Sequence, residues 1–107
     1  MAEITNTGTI QVNGTGILIT VSTFDPGIDW TIVNSGTIEA TLDGVQVVAD
    51  PSTLTATGTF IIDNSGVIES TVSGNAINFD LSVSSPGSIT ITNQATGIIE
   101  AAAAMRS

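Results

Sequence analysis

A short phrase recurs along the chain, and this recurrence constrains the fold more than any other feature. The clearest copy is Asn64-Ser65-Gly66-Val67-Ile68-Glu69, and the same pattern appears earlier as Asn34-Ser35-Gly36-Thr37-Ile38-Glu39 and Asn6-Thr7-Gly8-Thr9-Ile10-Gln11. A fourth copy, residues 93–100, has two residues inserted before its glycine. The four asparagines are separated by 28, 30 and 29 residues. Such a constant period predicts a stack of similar structural units.

Apolar and polar residues alternate within each unit, and this period of two is typical of a β-strand. In the first unit the alternation runs through residues 4–12 and 17–21, with glycines between the two runs. Asp25-Pro26-Gly27 and Asp43-Gly44 are typical turn sequences and mark further corners. We therefore predict one domain over residues 1–107, with three short strands and three corners per coil. The coils are expected at approximately residues 1–28, 29–58, 59–87 and 88–107.

The predicted fold is all-β: a right-handed single-stranded parallel β-helix, or β-solenoid, of about 3.5 coils with about 29 residues per coil. Strands pair in parallel because every coil turns in the same sense, and the right hand follows from the general preference of parallel crossovers. A helical solenoid is excluded because no segment has a period of about 3.6 residues. A left-handed hexapeptide helix is disfavoured, whereas an antiparallel sandwich remains an alternative. Residues 101–104 are predicted to continue a strand, with a short helical tail as the alternative.

When the copies are aligned, the apolar residues of successive coils fall into inward-facing columns. Neighbouring members of a column should be about 4.8 Å apart, which is the spacing of paired strands. The predicted columns are Trp30, Phe60 and Ile89; Ile4, Ile32, Ile62 and Ile91; Ile10, Ile38, Ile68 and Ile99; Ile17, Val47 and Ile77; and Ile19, Ala49 and Phe79.

The composition excludes several kinds of chemistry. Cysteine and histidine are absent, which removes disulfides, thiolate metal sites and the commonest general base. Arg106 and ten acidic residues give a net charge of −9, so nucleic acid and anionic membranes are not expected as partners. Enzymes that cleave glycans need clustered acids, usually supported by Arg or Lys. We therefore predict that the chain is not an enzyme.

The chain also has no apolar run of the roughly 20 residues that a membrane helix needs, so no membrane insertion is expected. Patterned sequence begins immediately after Met1 and Ala2, without the features of a signal peptide. The first copy starts at once and the last is incomplete. We therefore expect the chain to be a fragment of a longer repeat array.

The phrases Ile4-Thr5-Asn6-Thr7-Gly8-Thr9-Ile10, residues 32–40 and residues 61–70 resemble the degenerate repeats of bacterial autotransporter passengers and filamentous haemagglutinin-like adhesins. The resemblance covers nearly the whole chain. It implies a right-handed parallel β-helix at the bacterial cell surface or outside the cell. It also implies a role as an adhesin, a biofilm component or a stalk, with a cell-surface or carbohydrate ligand as a possible partner.

Two polar columns are candidate site residues. Asn6, Asn34, Asn64 and Asn93 share the inward parity of the isoleucines, and we expect their amides to bond to one another and to corner backbone. A ligand-binding row is the alternative. Gln11, Glu39, Glu69 and Glu100 form an outward column that is expected to be a solvated face. The more specific hypothesis is that calcium binds between Glu39 and Glu69, because hard cations bind carboxylate oxygens. Glu100 belongs to the same possible cation-binding column. No other cofactor is expected.

The functional prediction is a non-enzymatic structural or adhesive surface element that associates end to end with other copies of itself, forming oligomers or filaments. The reason is that the terminal coils present strand edges and an apolar cross-section. A carbohydrate- or divalent-cation-binding module is the first alternative. An ice-binding solenoid is a further alternative, suggested by Thr5-Asn6-Thr7-Gly8-Thr9 and by residues 53–59, although the aligned threonine columns are interrupted by valine and aspartate.

Overall fold

The computed structural model describes residues 2–23 and 26–101, and these residues form thirteen β-strands and no helix. Short runs of alternating residues, separated by glycine-containing corners, keep most strands to four to six residues. The strands are β1 (Ala2–Asn6), β2 (Thr9–Val12), β3 (Ile17–Ser22), β4 (Trp30–Asn34), β5 (Thr37–Ala40), β6 (Val45–Asp50), β7 (Thr55–Ala56), β8 (Thr59–Asn64), β9 (Val67–Ser70), β10 (Ile77–Asp80), β11 (Ser82–Val83), β12 (Ser88–Asn93) and β13 (Ile98–Ala101).

Each strand pairs in parallel with the equivalent strand of the neighbouring coil, rather than with the strand next to it in sequence. The first sheet has the order β1-β4-β8-β12, the second sheet β2-β5-β9-β13, and the third sheet β3-β6-β10. The chain is therefore a β-solenoid of about three coils of roughly 29 residues. This arrangement confirms the predicted fold class and excludes the antiparallel sandwich. The right-handed turn remains a prediction from the crossover preference.

A fourth, very short sheet closes two of the coils. β7 pairs with β11 through Thr55 with Ser82 and Ala56 with Val83. Ala56 is fully buried, whereas Thr55 is exposed. The repeat predicts three strands per coil and does not indicate a strand within residues 52–58. This prediction was wrong here because a two-residue strand with one small inward side chain is too short to produce a recognisable alternation.

The inward side chains of successive coils form the core. The pairing register of the first and second sheets confirms three predicted columns: the one that begins at Ile4, the one that begins at Ile10, and that of Trp30, Phe60 and Ile89. In the two middle coils most of these side chains are almost completely removed from water, since Phe60 and Ile62 are each 1% exposed, whereas Trp30 is partly buried. The ring of Phe60 also meets Phe79 edge to face, with centroids 6.0 Å apart.

The columns of the third sheet differ from the prediction by two residues. Ile17 pairs with Val45, not Val47, and Ile19 pairs with Val47, not Ala49. Ile77 and Phe79 also pair with Val45 and Val47. The shift arises because the corner before the third sheet is two residues longer in the third coil than in the first two. A shift of two preserves parity, so the inward set of side chains is unchanged.

Backbone hydrogen bonds at this corner fix the observed register. Gly16 N donates to Asp43 O at 3.0 Å, and Gly44 N donates to Asn75 O at 3.0 Å. β13 ends at Ala101, so the predicted continuation through residues 102–104 lies outside the described residues, as does Asp25 of the predicted turn.

Candidate functional site

The four asparagines, Asn6, Asn34, Asn64 and Asn93, lie in one column at the corner between the first and second sheets; we call this the asparagine column. The Nδ2 atoms of Asn6, Asn34 and Asn64 each donate to Oδ1 of the asparagine one coil further along the chain. The donor–acceptor distances are 2.8 Å, 2.8 Å and 3.0 Å. Asn34 and Asn64 are completely buried. A primary amide suits this position because it carries a donor and an acceptor on one short side chain.

The same amides satisfy corner backbone. Asn64 Nδ2 also donates to Gly66 O at 3.0 Å in its own coil and to Ile98 O at 3.2 Å in the next coil. Asn34 repeats this pattern with Gly36 O and Val67 O. The side-chain donors and acceptors of Asn34 and Asn64 are therefore all used in hydrogen bonds within the fold. This geometry supports a structural role for the column and leaves the inner members no free donor for a ligand.

The ends of the asparagine column are chemically different from each other. At the first coil, no donor among the described residues reaches the amide oxygen of Asn6, although its Nδ2 atom is bonded. At the last coil, Asn93 Oδ1 accepts from Asn64, whereas its Nδ2 atom donates only to Gly97 O at 3.1 Å. One end thus presents an unpaired acceptor, and the other presents a donor that lacks the two next-coil acceptors available to Asn34 and Asn64.

The backbone hydrogen bonds at this corner run in the opposite direction to those of the amides. N–H groups of each coil donate to carbonyl oxygens of the preceding coil, as when Gly66 N donates to Asn34 O at 3.1 Å and Val67 N donates to Gly36 O at 2.9 Å. Within the described ranges, the carbonyl oxygen of Asn93 receives no donor, and the N–H groups of Thr7 and Gly8 find no backbone acceptor. The corner therefore ends in carbonyl oxygens on the last coil and in N–H groups on the first.

Glycine is required at this corner by close contact between coils. A Cβ atom on Gly66 would collide with the carbonyl oxygen of Gly36, and one on Gly36 would collide with that of Gly8. A Cβ atom on Gly8, which lies in the first described coil, would meet nothing within 4 Å. The glycine is thus needed only where another coil is stacked on the corner.

The outward column of Gln11, Glu39, Glu69 and Glu100, which we call the glutamate column, places three carboxylates on adjacent strands of the second sheet. Gln11 Nε2 donates to Glu39 Oε1 at 2.5 Å. Burial, followed by the charges of Glu100 and Glu39, raises the pKa of Glu69 above its ordinary value. Over residues 2–23 and 26–101, no group of three or more His, Cys, Asp or Glu side chains could hold a metal ion.

One buried acid was not among the sequence-predicted site residues. Asp43 is only 9% exposed and lies at the corner before the third sheet. Its carboxylate accepts from Asn75 N at 2.7 Å and from Asn78 Nδ2 at 3.1 Å. The contacts show that it anchors the longer corner of the third coil. Asp43-Gly44 signalled a turn in the sequence, but no local pattern indicated that residues about 30 positions later would bond to it.

The threonines do not form uninterrupted columns. In the first sheet, Thr5 is followed by Val33, Asp63 and Thr92 in successive coils. In the second sheet, Thr9 and Thr37 are followed by Val67 and Ile98. The outer faces therefore lack the regular threonine array that motivated the ice-binding alternative.

The two terminal coils expose the edges of the stack. We call the outer side of β1 and β2 the N-terminal end face, and that of β12 and β13 the C-terminal end face. Every residue of β12 is exposed. Ile89 and Ile91 are 40% and 46% exposed, whereas the residues that they cover, Phe60 and Ile62, are each 1% exposed. The C-terminal end face therefore combines free strand edges with core-type side chains in contact with water.

The comparisons with known proteins found no matching family model, no matching curated protein and no matching solved structure. Among the described residues, no helix is long and apolar enough to cross a membrane. The likeness to autotransporter passengers and haemagglutinin-like adhesins accordingly remains a resemblance carried by the repeated phrases.

Proposed function

We propose that this chain is a non-enzymatic structural or adhesive element of a bacterial surface protein, and that its end faces join copies of the chain end to end. The observation that carries the proposal is the exposed C-terminal end face, where Ile89 and Ile91 continue core columns into water. Exposed strand edges with apolar side chains are templates for pairing with another chain. The extracellular or cell-surface location is supported by the resemblance of the repeated phrases.

A structural role fits the way in which the interior is filled. The three aromatic side chains of the described ranges, Trp30, Phe60 and Phe79, belong to the core or pack against it. None of them contributes to an outward aromatic row of the kind that stacks against sugars. The inner asparagines use their amides within the fold. The side chains thus serve mainly to hold coil to coil.

Charge sets the conditions under which the end faces should join. Fully burying an isoleucine contributes about 1.5–3 kcal/mol, but association costs at least about 4 kcal/mol in lost translational and rotational freedom. The net charge of −9 adds repulsion between copies. Salt screens such repulsion, with a Debye length of about 10 Å at 0.1 M. We therefore expect assembly to increase with both protein concentration and salt.

Sedimentation velocity over a range of protein and NaCl concentrations tests the proposal, with electron microscopy of the same samples. We expect the weight-average sedimentation coefficient to rise with both concentrations, and elongated particles to appear. Ile91→Lys on the C-terminal end face should suppress the rise. Leu18→Lys is the matched control, because Leu18 is 58% exposed on a side face and the charge change is the same. A wild-type chain that stays monomeric at high concentration and high salt would refute end-to-end joining.

Calcium binding between Glu39 and Glu69 is a second proposal, and it is supported by the raised pKa of Glu69 beside its acidic neighbours. A divalent cation would relieve the repulsion that contributes to this shift. Calorimetric titration with calcium should give heat for the wild-type chain and none for Glu69→Gln. The absence of both heat and thermal stabilisation in the wild-type chain would reject the site.

A further inference from the structure

We propose that the joint between copies is head to tail and in register: the N-terminal end face of one copy covers the C-terminal end face of another. In this joint Asn93 meets Asn6 of the second copy, Ile91 meets its Ile4, and Ile99 meets its Ile10. The inference rests on the proposed end-to-end function, and it adds the identity of the partner face, its direction and its register. Four features of the structure support it.

The first feature is the direction of the asparagine column. The side-chain amides of Asn6, Asn34 and Asn64 each donate to the asparagine oxygen of the next coil. The free acceptor, Asn6 Oδ1, is on the N-terminal end face, and the under-used donor, Asn93 Nδ2, is on the C-terminal end face. A head-to-tail joint pairs the donor with the acceptor. A joint between two identical faces that brings this corner against itself would pair two donors or two acceptors.

The second feature is the backbone of the same corner. At this corner, N–H groups of the later coil donate to carbonyl oxygens of the earlier coil across each internal boundary. A second copy placed head to tail would bring the N–H groups of Thr7 and Gly8 to the carbonyl oxygen of Asn93, as Ser65 and Gly66 reach Asn34 within the chain. Its Thr9 N–H would likewise reach Gly97 O, as Val67 N reaches Gly36 O. Two identical faces joined with this corner against itself would present like groups to each other.

The third feature is charge. The glutamate column begins with an uncharged amide, Gln11, and ends with a carboxylate, Glu100. A head-to-tail joint places the amide of Gln11 next to Glu100, as it lies next to Glu39 inside the chain. Repulsion between neighbouring carboxylates is therefore interrupted at the joint.

The fourth feature is the shape of the cross-section. A joint between identical faces needs a two-fold axis perpendicular to the coil axis. Such an axis can place only one sheet of a copy against the same sheet of its partner. It must place the other two sheets against each other, and their strands differ in length. A head-to-tail joint instead extends the first and second sheets in parallel. The third sheet stays open at the joint, because no strand of the described residues covers β10 on the side away from β6.

Two variants that each block one face distinguish the joints. Gly8→Ala should block the N-terminal end face, because the new Cβ would collide with Gly97 O of the partner as one on Gly36 would collide with Gly8 O. Its own fold has nothing within 4 Å of that Cβ. Ile91→Lys blocks the C-terminal end face. Thr9→Ala, an exposed outward change beside Gly8, is the control and should assemble like wild type.

In sedimentation at a concentration where wild type assembles, each blocked variant alone should be at least ten-fold weaker in association. An equimolar mixture of the two should form heterodimers and no longer species, because only one pair of intact faces remains. If either blocked variant alone dimerises as strongly as wild type, identical faces join and the head-to-tail inference is overturned while the proposed function stands. If wild type itself never assembles, both are overturned.

Cysteine crosslinking gives an independent test that does not depend on blocking. The chain has no cysteine, and Thr5 and Thr92 lie in one outward column of the first sheet. In the joint their Cα atoms would be about one strand spacing apart, within the range of a disulfide. We expect a mixture of Thr5→Cys and Thr92→Cys to crosslink at least ten-fold faster than either variant alone. Thr5→Cys with Thr90→Cys is the out-of-register control, since Thr90 shares its column with Glu3. Equal rates in the matched and control mixtures would overturn the register.

Discussion

Replacing Asn64 by leucine should destabilise the stack through groups that the amide now satisfies. Asn64 is completely buried; its Nδ2 atom donates to Asn93 Oδ1, Gly66 O and Ile98 O, and its Oδ1 atom accepts from Asn34. Leucine removes all four bonds without changing the side-chain size greatly. Asn34 Nδ2 keeps two carbonyl acceptors and Gly66 O still accepts from Ile98 N, so the main losses are at Asn93 Oδ1 and Ile98 O.

The magnitude follows from these losses. A typical hydrogen bond contributes about 0.5–1.5 kcal/mol net, so the four bonds that leucine removes contribute about 2–6 kcal/mol together. Burying the leucine side chain returns about 1.5–3 kcal/mol. We therefore expect Asn64→Leu to lower the free energy of unfolding by about 1–3 kcal/mol. For a domain of this length, each kcal/mol lowers Tm by about 4 °C or more.

Circular dichroism during thermal and urea unfolding, at a concentration where the chain is monomeric, measures this change. Asn93→Leu is the matched control: it lies in the same column, but Asn93 is exposed and its Nδ2 atom makes one bond. The control should cost about half as much or less, since fewer buried groups lose a partner. Unchanged unfolding of Asn64→Leu, or an equal loss in both variants, would refute the role assigned to the inner asparagines.

Three further changes test other parts of the stack. Gly66→Ala should cost at least about 2 kcal/mol of unfolding free energy in urea, because its Cβ meets backbone, whereas Gly8→Ala in the monomer should change it by less than about 0.5 kcal/mol; equal effects would contradict the close contact. Phe60→Ala should cost about 3–5 kcal/mol in the same assay, and Ile89→Ala, which is 40% exposed, about 1 kcal/mol; a reversed order would contradict the assigned core. The pKa of Glu69 is raised in the folded chain above 4.5, so protonation of this carboxyl stabilises the fold, and that contribution is lost as pH rises through the folded pKa. Glu69→Gln should therefore raise Tm at pH 7, by the equivalent of up to about 1 kcal/mol, and leave Tm at pH 3.5 unchanged; a gain of equal size at both values would exclude electrostatic repulsion as the cause.

The repeated phrase was sufficient to predict the parallel stack and most of its core. The segment from the asparagine to the following Gln11, Glu39 or Glu69 has the same length in the first three coils, so register there follows directly from alignment. Register of the third sheet could not be read in the same way. The corner before this sheet differs in length between coils. Two registers that differ by two residues both place apolar side chains inside, so the residue pattern does not distinguish them.

The direction of the hydrogen bonds in the asparagine column could be determined only from the three-dimensional structure. The sequence showed that Asn6 and Asn93 occupy equivalent positions, but it did not show which amide atom each leaves unpaired. It also identified Gly8 as a member of the repeated phrase without showing that this glycine, unlike Gly66, has open space beside it. The burial of Asp43 depends on contacts between residues of different coils, which a single-sequence pattern does not specify.

The open side of β10 has a consequence for how a filament of this chain would diffract. Strands of the first and second sheets would repeat along the filament about every 4.8 Å, as in other cross-β assemblies. Over residues 2–23 and 26–101 the third sheet has three strands where the first and second sheets have four, so these residues would leave one strand position unfilled in every copy. Four coils advance about 19 Å, so the missing strand would recur with that axial period. Oriented fibres should therefore show a meridional reflection near 19 Å in addition to the strand reflection, and each 10.8 kDa copy would fix the mass per unit length.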